Sequence, residues 1–198
     1  MRYPLTLSFK ILAVAPQLAV TDADGDLVFY VRQKLFKLKE SVTVFADREQ
    51  TRPLYTINAD RVLDVSARYH FADARSGAPL GSVKRQGLKS LWKAHYDIYD
   101  GSAHVMTIQE ENPWTRLLDG LFASLPLVGA LSGYVFHPVY RVSRRDGTVV
   151  MRVMRMSKQP AFFEGKFRVD KLAELSAADE TRVLLSLLMM ILLERARG

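Results

Sequence analysis

Four histidines, His70, His95, His104 and His137, are the side chains of this 198-residue chain suited to metal binding or to proton transfer near neutral pH. No two of them have the close spacing of a helical metal site such as HExxH. His70, His95 and His104 fall in stretches that read as strands, so only a sheet can bring them together. Scattered structural histidines are the expectation. The chain has no cysteine, which removes disulfides, thiolate metal sites and cysteine nucleophiles.

The acidic residues nominate no catalyst either. "DADGD", with Asp22, Asp24 and Asp26, invites a calcium reading. An EF-hand loop needs glycine at its sixth position and glutamate at its twelfth, where this chain has Leu27 and Gln33. A hairpin turn explains the stretch more simply. Glu110-Glu111 abuts a turn and is expected to be solvated. No GxSxG elbow, phosphate loop or dinucleotide fingerprint is present. The expectation is a protein that is not an enzyme, with no cofactor and no bound metal.

Cations are the remaining handle. Lys and Arg outnumber Asp and Glu by 28 to 21, a formal charge of +7 that favours anionic partners. They are spread along the chain without a basic tail or stripe, so nucleic acid is not an expected partner. Two clusters stand out as candidates for binding a lipid headgroup or another anion. In "VFYVRQK", alternation places Tyr30, Arg32 and Lys34 on the face opposite Phe29 and Val31. Lys84, Lys89 and Lys93, with Trp92, make a second cluster near a turn. A solvated basic face is the plainer reading of both.

Most of the chain reads as short strands separated by turn chemistry. "LTLSF" alternates, and "QLAVTDADGDLVFYVRQK" is a hairpin around Asp-Gly. Further runs begin near Ser41, Leu54, Val62, Pro79, Leu91, Ala103, Tyr134, Thr148 and Ala161, and several are split by Asp-Gly. About a dozen hairpin-linked strands without intervening helices point to an antiparallel sheet or barrel.

Two segments depart from this pattern. Asn112-Pro113 is a cap followed by proline, and Trp114, Leu117, Leu118, Leu121, Phe122 and Leu125 recur at helical spacing up to Pro126. In this short amphipathic helix, Trp114, Leu117, Leu121 and Phe122 are candidates for contact with a membrane or a partner. It either covers a barrel end, lies at a headgroup boundary, or belongs to a span over Gly120 to Tyr140, a run without formal charge. Strands on both sides argue against the span.

The second segment opens with Ser176 and Asp179 at the spacing of a capping box, and predicts a helix from about Ala177 to Arg195. Val183 to Leu193 is apolar at every position except Ser186. These eleven residues rise only about 16 Å as a helix, against roughly 30 Å of bilayer hydrocarbon, so they do not span a membrane. A helix that is apolar all round is buried all round. Lys10 interrupts the apolar stretch at the N-terminus, so no signal peptide is expected either.

"VTDADGDLVFYVRQKLFKLKESVTVFAD", followed by "PLYTI", resembles the LURP-one-related family, itself similar to the tubby C-terminal domain and to phospholipid scramblases. "ELSAADETRVLLSLLMMILL" resembles the helix that closes those chains. The resemblance implies a roughly twelve-stranded antiparallel barrel around a buried C-terminal helix, as one domain over residues 1–198. The expected function is a non-enzymatic module, cytoplasmic and peripheral to the membrane, that binds anionic phospholipid or a membrane-associated protein. The alternative is a soluble interaction or scaffold domain.

Overall fold

The computed structural model describes residues 1–10, 17–32, 41–61, 67–86, 94–111, 139–156 and 164–195. Twelve strands follow one another in chain order: β1 (Leu5–Lys10), β2 (Gln17–Thr21), β3 (Leu27–Arg32), β4 (Ser41–Phe45), β5 (Pro53–Ala59) and β6 (Arg68–Asp73). They continue as β7 (Pro79–Arg85), β8 (His95–Asp100), β9 (Ala103–Glu110), β10 (Val139–Arg144), β11 (Val149–Arg155) and β12 (Glu164–Lys171). A single helix, α1 (Ala177–Arg195), comes after them. The expected amphipathic helix, with Trp114, Leu117, Leu121 and Phe122, lies outside the described residues.

Each strand pairs antiparallel with its sequence neighbours, and β12 returns to β1 to close the barrel, with Leu5 opposite Val169 and Phe9 opposite Gly165. Closure gives every described strand a neighbour on both sides, although β3 and β4 meet through the single pair Tyr30 and Phe45. It also fixes two ends. The connections β2–β3, β4–β5, β6–β7, β8–β9, β10–β11 and β12–α1 lie at one end, here called the entry mouth. The other connections start and finish at the opposite end, the exit mouth, where α1 also ends.

The entry-mouth turns are locked by aspartates. Asp22 Oδ1 accepts from the Asp24 and Asp26 amides at 3.0 and 3.1 Å, Asp47 from the Thr51 and Arg52 amides at 2.9 and 2.8 Å, and Asp146 from the Thr148 amide at 2.8 Å. Asp73 does the same for Arg75 and Ser76 at 3.0 and 2.7 Å. Short carboxylate side chains bonding their own following backbone are what make Asp a turn residue. "DADGD" is therefore a hairpin turn, with Gly25 at φ 87°.

Alternation along every strand sends one set of side chains inward. Leu7, Phe9, Leu18, Ile57, Phe71, Val83, Ile98 and Ile108 are essentially shut off from water, as is every residue of α1 from Val183 to Leu192. A barrel of twelve strands is too wide for its own side chains to fill, and the helix supplies the missing core. Each Leu, Ile or Met removed from water contributes about 1.5–3 kcal/mol. No helix among the described residues is long and apolar enough to cross a membrane.

Polar contacts hold α1 at both ends. Ser176 accepts from the Asp179 amide at 3.1 Å, and its hydroxyl donates to the Asp179 carboxylate at 2.8 Å. Arg182, only 5% exposed, donates to the Leu80 carbonyl at 2.8 Å and pairs with Asp100 at 3.0 Å and Asp179 at 2.5 Å. Ser186, the one polar residue of the apolar run, donates to the Arg182 carbonyl at 2.8 Å. At the exit mouth the Tyr96 hydroxyl donates to Glu194 at 2.5 Å, and buried Arg85 lies 3.5 Å from the same carboxylate. Both clamps reach β7 and β8, which fixes the depth and rotation of the helix.

Candidate functional site

The outward face of β6 to β9 carries the densest polar arrangement among the described residues. Strand alternation turns Tyr96 and Ile98 into the core, which points His95, Asp97 and Tyr99 away from it. Register then lines up Arg68, Lys84, Asp97 and Thr107 across four strands, and His70, Ser82, Tyr99 and His104 in the row beside them.

Asp97 is the hub. Its Oδ1 lies 3.3 Å from His95 Nε2 and 3.5 Å from His104 Nε2, and accepts from the Thr107 hydroxyl at 3.4 Å. Gln86 donates its amide to Oδ2. Although it faces outward, Asp97 is only 8% exposed, because these side chains cover it. His104 Nε2 is also 3.0 Å from both the Met106 carbonyl and the Thr107 hydroxyl, and the Gln109 amide nitrogen is 3.3 Å from His95 Nδ1. Arg68 stacks on the Tyr99 ring at 4.1 Å, and Tyr99 lies 5.6 Å from the His104 ring.

Two of the three strand histidines thus meet on one carboxylate. His70 does not join them. Three strand spacings separate it from His104 in the same row, roughly 14 Å. Among the described residues no group of three His, Asp or Glu side chains has the geometry to hold a metal ion. The short approach of His104 Nε2 to a backbone carbonyl requires a proton on that nitrogen, which is the opposite of what a metal ligand offers.

Of the cationic candidates, Arg32 is the exposed last residue of β3, and Lys84 is half-buried on the outer face of β7, between Arg68 and Asp97. Among the described residues neither side chain is engaged in an ion pair. Lys34, Lys89 and Lys93 lie outside the described residues, as do Trp92 and His137. Glu111 departs from the solvated role expected of it: its carboxylate accepts from Arg152 on β11 at 2.8 Å, because the end of β9 and the outer face of β11 flank β10. The sequence reading passed over Asp97 and Arg182. The i, i+2 pair His95 and Asp97 in "HYDIYD", with His104 just past the next turn, was the available signal for the first.

The LURP-one-related family model matches residues 27–170, from the start of β3 to the penultimate residue of β12. The chain belongs to that family. No curated protein and no solved structure matches it. The family is one of barrel domains without a general catalytic role, and the described architecture is such a barrel.

Proposed function

We propose that this LURP-one-related chain is a non-enzymatic binding module that attaches to anionic phospholipid surfaces through the exit mouth of its barrel. The division of charge between the two ends carries the reading. The connections that begin and finish at the exit mouth, with residues 196–198, hold nine Lys and Arg against five Asp and Glu. Those at the entry mouth, with residues 1–4, hold five against seven. Both tryptophans of the chain, Trp92 and Trp114, also belong to exit-mouth connections.

Basic and aromatic residues together are the composition that headgroup boundaries attract. Each Lys or Arg near an anionic leaflet contributes about 1 kcal/mol, and amphipathic aromatics sit at the interface. Arg32 ends β3 at this mouth, and Lys84 lies one residue from the end of β7 there. Lys34, Lys89, Lys93, Trp114, Leu117, Leu121 and Phe122 belong to connections whose flanking strands end at the same mouth. Met156, which follows β11 at this mouth, is 54% exposed.

Co-sedimentation with anionic and neutral vesicles, at low and high salt, tests the proposal. Selective, salt-sensitive binding that Trp114→Ala and Lys84→Glu both weaken is expected. Binding to neither vesicle overturns it and directs attention to a soluble protein partner.

A further inference from the structure

We infer that Arg68, Lys84 and Ser82, on the outer wall of β6 and β7, form a binding site for a phosphate monoester. Such a site goes beyond the exit-mouth reading, since it holds one phosphate group and needs no membrane.

Ser82 marks the place. Val83 is buried in the core and a β-carbon on Gly81 would meet Arg182, so Ser82 and Lys84, on either side of Val83, face outward. Yet Ser82 is only 2% exposed, and its Oγ is buried without a hydrogen-bond partner. A buried hydroxyl left unpaired costs free energy and calls for an explanation. Register supplies the cover. Ser82 lies opposite His70 on one side and Tyr99 on the other. Arg68, opposite Lys84, reaches across β7 to place its Cζ 4.1 Å from the centre of the Tyr99 ring. That contact crosses β7 between Lys84 and Ser82, and closes over the hydroxyl.

The two cations beside it have no anion. Among the described residues neither the Arg68 guanidinium nor the Lys84 ammonium makes a hydrogen bond or an ion pair. The nearby carboxylates are engaged elsewhere. Asp97, opposite Lys84, is held by Thr107, Gln86 and the two histidines. Asp60 accepts from the Arg68 backbone amide at 2.9 Å and lies 3.8 Å from Arg61. Like charges directly opposite on neighbouring strands are destabilising, and an anion between them removes that cost. Stacking occupies only the face of the guanidinium and leaves its in-plane N–H groups free to donate.

These donors select the ligand. Arg68 binds two phosphate oxygens side by side, the Ser82 hydroxyl donates to a third, and Lys84 adds the second positive charge. A monoester matches, with three terminal oxygens and a charge of about −1.5 to −2 at neutral pH. A diester offers one oxygen and one charge fewer. Arg68 and Lys84 are directly opposite, roughly 5 Å apart at Cα, and Ser82 is two residues from Lys84, roughly 7 Å. Entry asks only that the Arg68 side chain turn from the Tyr99 ring, which uncovers Ser82.

Titration with sn-glycerol 3-phosphate at pH 7.5, followed by amide shifts in NMR, tests the site, with dimethyl phosphate as the diester. Wild type is expected to bind the monoester saturably, with the largest shifts around Arg68, Ser82 and Lys84, and to bind the diester about tenfold more weakly. Ser82→Ala and Arg68→Gln are each expected to weaken monoester binding about tenfold or more. Ser82→Ala removes a hydroxyl that pairs with nothing in the free protein, so its thermal midpoint should match or exceed that of wild type. Lost binding is thereby separated from lost fold.

Vesicles distinguish the source of the phosphate. A preference for phosphatidic acid over phosphatidylglycerol that Ser82→Ala abolishes places the monoester on a lipid headgroup. Monoester binding without that preference places it on a soluble ester. Monoester and diester bound alike, undiminished affinity in Ser82→Ala, or no binding of glycerol 3-phosphate overturns the inference. Phosphatidylglycerol binding that persists in any of those cases leaves the exit-mouth reading standing. Monoester binding without attachment to anionic vesicles supports the site and overturns that reading alone.

Discussion

Arg182 on α1 and Gly81 on β7 occupy complementary space: a β-carbon at position 81 would lie 2.6 Å from Arg182 Nε and 2.4 Å from the Tyr99 carbonyl oxygen. Gly81 also has φ of +122°, a backbone conformation that L side chains rarely adopt. The missing side chain lets Arg182 reach the Leu80 carbonyl and Asp100 from inside the barrel.

Gly81→Ala is therefore expected to destabilise the fold by about 3 kcal/mol or more, since strain and a backbone clash act together. Gly77, at φ +72° with nothing near its β-carbon position, is the control, and Gly77→Ala should lose only about 1 kcal/mol. Chemical denaturation of both variants checks the ranking. Equal losses would mean that Arg182 is not held as described.

Tyr96 sets a limit at alkaline pH. Burial, and next the Glu194 carboxylate, push its phenol far above the ordinary value near 10; burial and Glu180 act alike on Tyr3. A raised folded value means stability is complete below pH 10 and is lost as pH rises, because only the unfolded chain releases the proton. The loss is at most about 1.4 kcal/mol per pH unit for each such tyrosine. Tyr96→Phe should be less stable at pH 8 by about 1 kcal/mol, for the lost hydrogen bond, yet decline less steeply between pH 10 and 11.5. Urea midpoints across that range decide it, and parallel declines would contradict the assignment.

At the acid end the turn aspartates act in the opposite sense. Backbone amides of Thr51, Ser76 and Thr148 hold Asp47, Asp73 and Asp146 below the usual carboxylate range; at Asp22 burial works upward, but the amides of Arg2, Asp24 and Asp26 outweigh it. Depressed folded values give stability that is present above about pH 4 and lost as pH falls through them. Asp47→Asn should be less stable at neutral pH and less sensitive to acid below pH 4. Thermal midpoints between pH 5 and 2.5 measure both, and an unchanged slope would exclude Asp47 as a contributor.

The barrel was legible because its signals are local. Asp-Gly turns and period-two alternation mark the hairpins. The helix from Ala177 to Arg195 follows from a Ser cap and an apolar run with no polar face. The Asp97 cluster was much less so. His104 meets Asp97 only through the β8–β9 register, which a bulge between Ile98 and Tyr99 shifts, and no residue type or spacing announces a bulge. Arg182 was hidden for a related reason. A charge at the head of an apolar helix reads as a solvent boundary, until Gly81, a hundred residues earlier, is known to make room for it.

The β1–β12 ladder bears on how the molecule is made. Leu5 waits for Val169, so the last seam of the wall forms only after nearly the whole barrel has been synthesised. Until α1 follows, the inner face of every strand has no filling. Such long-range pairing makes for slow folding, and a nascent chain held at this stage displays apolar strands with open edges. Chains stalled before Ala177 should therefore be captured by chaperones or aggregate, whereas chains stalled beyond Leu193 can complete their core.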